Sequence, residues 1–69
     1  MNAEPAQYTI RVAGRLGATA LSAFPPSLIA EHRPDHTVLT GLLDRSALYG
    51  VLSQMEMLGL DLIELTRSI

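Results

Sequence analysis

Residues 18–24 read ATALSAF and are followed by Pro25 and Pro26; whether they coil decides the fold. As a helix they give the order strand, helix, strand, strand, helix, strand. Without that helix, three strands precede a single helix. Leu21 and Phe24 stand three apart, a spacing that puts both on one helical face. The prolines then stop the coil, because the residue before a proline is pushed out of the helical region. At 3.6 residues per turn the segment has room for about two turns, and it is predicted as a short helix.

Upstream, QYTIRVAGRL (7–16) alternates, with Tyr8, Ile10, Val12, Gly14 and Leu16 on one side and Gln7, Thr9, Arg11, Ala13 and Arg15 on the other. A period of two marks a half-buried strand, and Gly17 ends it. Downstream, SLIAEHR (27–33) and HTVLTGLL (36–43) are β-prone segments around Pro34-Asp35. Proline pre-sets φ for the first central position of a turn and aspartate tolerates the second, so a hairpin is predicted.

Asp44 is placed to cap a helix from Arg45 to Leu58, its carboxylate accepting from free N–H groups of the first turn. Gly59 supplies a left-handed residue to end it. Within this helix Leu48, Val51, Leu52, Met55 and Leu58 span an arc of roughly 120°, the width of a helix laid on a core. The last stretch, LDLIELTRSI (60–69), alternates again, with Ile63, Leu65 and Ile69 opposite Glu64, Thr66 and Ser68. The expected fold class is α+β, a ferredoxin-like βαββαβ unit with a short first helix; the alternative is a three-stranded meander followed by a helix and a strand. One domain is expected over 7–69, behind a disordered N-terminal tail at 1–6.

With 69 residues, a chain buries only about 60% of the surface its unfolded form exposes. Cysteine is absent and charged residues make up 17%, so neither disulfides nor thiolate metal sites can staple the fold, and oligomerisation is the remaining staple. A formal net charge of −2 lacks the basic footprint that phosphate contacts demand, so nucleic acid is not an expected partner. The N-terminal residues lack the succession of a signal peptide, and no apolar run approaches the roughly 20 residues that span a bilayer. A cytoplasmic protein with no membrane partner is expected.

Chemistry concentrates in EHRPDH (31–36), where Glu31, His32, Arg33 and His36 form a candidate polar site. If Pro34-Asp35 is a two-residue turn, Arg33 faces His36 and His32 faces Thr37, so the histidines point to opposite sides. A three-residue turn puts His36 in the loop and pairs His32 with Val38. Neither register makes the histidines converge, and zinc needs three or four converging ligands; no metal or cofactor is expected. The serines sit in no nucleophile context, no phosphate-binding glycine pattern occurs, and so small a core leaves little room for a ligand cavity. No catalytic residue is assigned.

Two surfaces are candidates for contact. On the long helix Tyr49, Gly50, Ser53 and Met57 cluster away from the core arc, and aromatic residues and Met are enriched at interfaces. On the open sheet face Thr9 and Arg11 stand with Ala13, Glu64 and Thr66; an Arg11 to Glu64 pair within the chain is the simplest use of those charges.

The succession Gly14-Arg15-Leu16, Leu21-Ser22-Ala23-Phe24, Thr37-Val38-Leu39-Thr40-Gly41 and Leu58-Gly59-Leu60 resembles a group of short, functionally uncharacterised actinobacterial proteins, over nearly the whole chain. More distantly, the element order is similar to ACT-type regulatory domains, which sense small molecules at subunit interfaces. The first resemblance carries no activity and the second is topological, so neither implies a reaction. The function expected is a non-enzymatic protein-binding or regulatory and assembly module, homo-oligomeric, with another protein or a small ligand at the interface. The alternative is a small accessory enzyme or ligand sensor with an interface cavity involving His32 or His36.

Overall fold

The computed structural model describes residues 5–68. Its elements are β1 (Ala6–Ala13), α1 (Ala18–Leu21), β2 (Ile29–His32), β3 (His36–Leu43), α2 (Arg45–Met57) and β4 (Leu62–Ser68). The class is therefore α+β with the order βαββαβ, and the meander is set aside. The strands form one sheet in the order β2-β3-β1-β4, every neighbouring pair antiparallel.

Register explains the core. Ile10 of β1 stands between Leu39 of β3 and Leu65 of β4, and Val12 opposite Thr37. Ile10, Val12, Thr37, Leu39 and Leu43 are buried on this face. Leu48, Val51 and Met55 of α2 close over it, joined by Leu16 and Phe24 from the segments flanking α1. Fully burying each aliphatic side chain of this set contributes on the order of 1.5–3 kcal/mol.

The long helix begins as its sequence requires, with Asp44 Oδ1 accepting from the Ala47 N–H at 2.7 Å. It ends in a complete Schellman motif. Gly59, at φ +71, donates to Glu56 O, and Leu60 donates to Met55 O at 2.9 Å, satisfying two carbonyls of the last turn.

Four expectations are corrected. β1 stops at Ala13 rather than Leu16, because Gly14 takes φ +81 and turns the chain, although Leu16 is still buried. α1 is one turn, not two. Its N-terminus has no side-chain cap, and past Leu21 the backbone tightens into i to i+3 bonds at Ala23 and Phe24, as the two prolines demand. α2 closes at Met57, and Leu58, expected on the core arc, is its exposed C-cap. The register of β4 on β1 shifts between Arg11 and Val12, Glu64 facing the first and Leu62 the second, so Ile63 sits at the irregularity instead of continuing one apolar side with Leu65, and every residue of β4 is exposed; Ile69 lies outside the described residues. Residues 1–4 of the expected tail lie outside them as well, and Ala6 already belongs to β1.

Candidate functional site

The hairpin takes the two-residue register. His32 pairs with Thr37, and the Arg33 N–H donates to the His36 carbonyl at 2.8 Å. His32 therefore shares the core-side face with Thr37, while His36 stands opposite Ala13 on the open face. The histidines diverge, and each has a local partner. His36 Nδ1–H donates to Asp35 Oδ1 at 2.7 Å, since a carboxylate only accepts. The same hydrogen bond, reinforced by the charge of His36, holds the exposed Asp35 carboxyl below its ordinary 3.8. Arg33 pairs with Glu31 at 3.1 Å across one alternation of the strand. Of the expected polar site, Glu31 and Arg33 come together, His36 joins Asp35 instead, and His32 turns away.

The tip serves as a strut. Its Asp35 carbonyl accepts from the Gly14 N–H at 3.0 Å. Thr37 Oγ1, fully buried, donates to the Gly14 carbonyl at 2.9 Å and accepts from the Leu16 N–H at 3.2 Å. With that single proton committed to Gly14, His32 Nδ1, 3.4 Å away, is the donor in its contact with Thr37. Among the described residues no three His, Asp or Glu side chains gather as a metal site needs.

The open face reads in rows across β2, β3, β1 and β4. Glu31, Val38, Arg11 and Glu64 form one row, and Ile29, Thr40, Thr9 and Thr66 the next. Arg11 Nη1 meets Glu64 Oε1 at 3.1 Å, the expected pair within the chain. The apolar members were missed: Ile29 is 72% and Leu42 58% exposed. The signal was the parity of HTVLTGLL, which sends Val38, Thr40 and Leu42 away from Leu39 and Leu43. Beside them, where the chain enters β2, lies a groove of about 620 Å³ bordered by Gln7, Ser27, Ile29, Glu31, Thr40 and Leu42.

On α2, Tyr49 (61%), Met57 (77%), Gly50 and Ser53 are all exposed, and at 100° per residue they span an arc of about 100° facing away from Leu48, Val51 and Met55. Gly50 borders a cleft of about 380 Å³ with Ala47, Gln54 and the Ala23 to Pro25 segment.

A family model, the domain of unknown function DUF8691, matches residues 7–66, from the second residue of β1 into β4. The chain belongs to the DUF8691 family. No curated protein and no solved structure matches it. The match reaches all six elements of the chain, and among the described residues no helix is long and apolar enough to cross a membrane.

Proposed function

We propose that this DUF8691 domain is a non-enzymatic assembly and protein-binding module that works as a homo-oligomer in the cytoplasm. One observation carries the reading. Ile29, Leu42, Tyr49, Met57, Leu58, Leu62, Ile63 and Leu65 are exposed, nearly as many large apolar side chains as the core holds. Single exposed hydrophobics are ordinary, but this number of them beside a core of nine is large for 69 residues, and a core this small gains stability from association. The strand order, with β3 lying between β1 and β2, and β1 between β3 and β4, supports a ferredoxin-like unit built of two split βαβ motifs.

A small-ligand sensor is the second reading, favoured by the volume of the groove at the start of β2, which falls within the range of ligand sites. Neither histidine borders that groove, so acid/base catalysis by His32 or His36 draws no support from it. Sedimentation equilibrium of the whole chain tests the leading reading. A species heavier than the 7.5 kDa monomer at micromolar concentration is expected, and a strict monomer at millimolar concentration overturns it.

A further inference from the structure

We draw no further inference here: the strongest candidate, the exposed apolar surface of Leu58, Leu62 and Leu65 along the outer strand β4, lies on a strand whose register shifts between the residues facing Arg11 and Val12, and nothing in the structure shows what covers it.

Discussion

The Thr37 hydroxyl donates to the Gly14 carbonyl at 2.9 Å, tying the start of β3 to the turn that ends β1 across 23 residues of chain. The same oxygen accepts from the Leu16 N–H, so one buried side chain satisfies two backbone groups that have left the sheet. Thr37→Val keeps the shape and removes both bonds, leaving a carbonyl and an N–H stranded at the core boundary. A loss of about 1–3 kcal/mol is expected from unsatisfied buried groups, measured by urea unfolding. Thr37→Ser, which keeps the hydroxyl and loses only a methyl, should recover part of it; equal losses in the two variants would refute the bridging role.

Gly41 permits a second close approach. A Cβ built there overlaps the Ser27 carbonyl oxygen and stands 3.0 Å from its carbon and 3.2 Å from Leu28 Cα. These are backbone atoms at the entry to β2, which cannot swing aside as a side-chain tip would. Gly41→Ala should destabilise by about 1–3 kcal/mol, the usual range for overpacking, despite the higher strand propensity of alanine. Hydrogen exchange should show the loosening first in β2, an outer strand of four residues; loosening confined to β4 would contradict this account.

These two residues show where sequence legibility ends. Local chemistry was readable: Asp44 and Gly59 frame α2, Pro34-Asp35 sets the hairpin register, and that register separates His32 from His36. The Arg11 to Glu64 pair followed from the expected neighbours β1 and β4. Thr37 reads as an ordinary strand residue, because its role depends on a turn 23 positions away that only the positive φ of Gly14 creates. Leu65 alternates as a core residue should, yet whether a helix covers it depends on where α2 lies across the sheet.

Asp35 adds a pH-dependent contribution. Its carboxyl is held below the ordinary 3.8, chiefly by the hydrogen bond from His36 and then by its charge. A carboxyl whose value is depressed in the folded state contributes stability above its unfolded value and loses it as pH falls through the folded one. The contribution should therefore be present at pH 5 and fade below about pH 4. Carboxyl carbon chemical shifts titrated by NMR should place Asp35 below 3.8, and His36→Ala should move it up toward that value. An Asp35 midpoint unaffected by His36→Ala would show that the 2.7 Å contact does not govern it.

The Arg11 to Glu64 pair crosses from β1 to β4 on the open face at 3.1 Å, with both side chains about half exposed. Solvent at that level screens most of the attraction, so a double-mutant cycle of Arg11→Gln and Glu64→Gln should give a coupling of about 0.2–1 kcal/mol. In 1 M salt, where the screening length falls to about 3 Å, the coupling should shrink toward zero. A coupling well above that range that persists in salt would mean the pair is buried in solution. Burial could come only from something seated on the open face, so the cycle measured at rising protein concentration also tests whether a second copy covers that face.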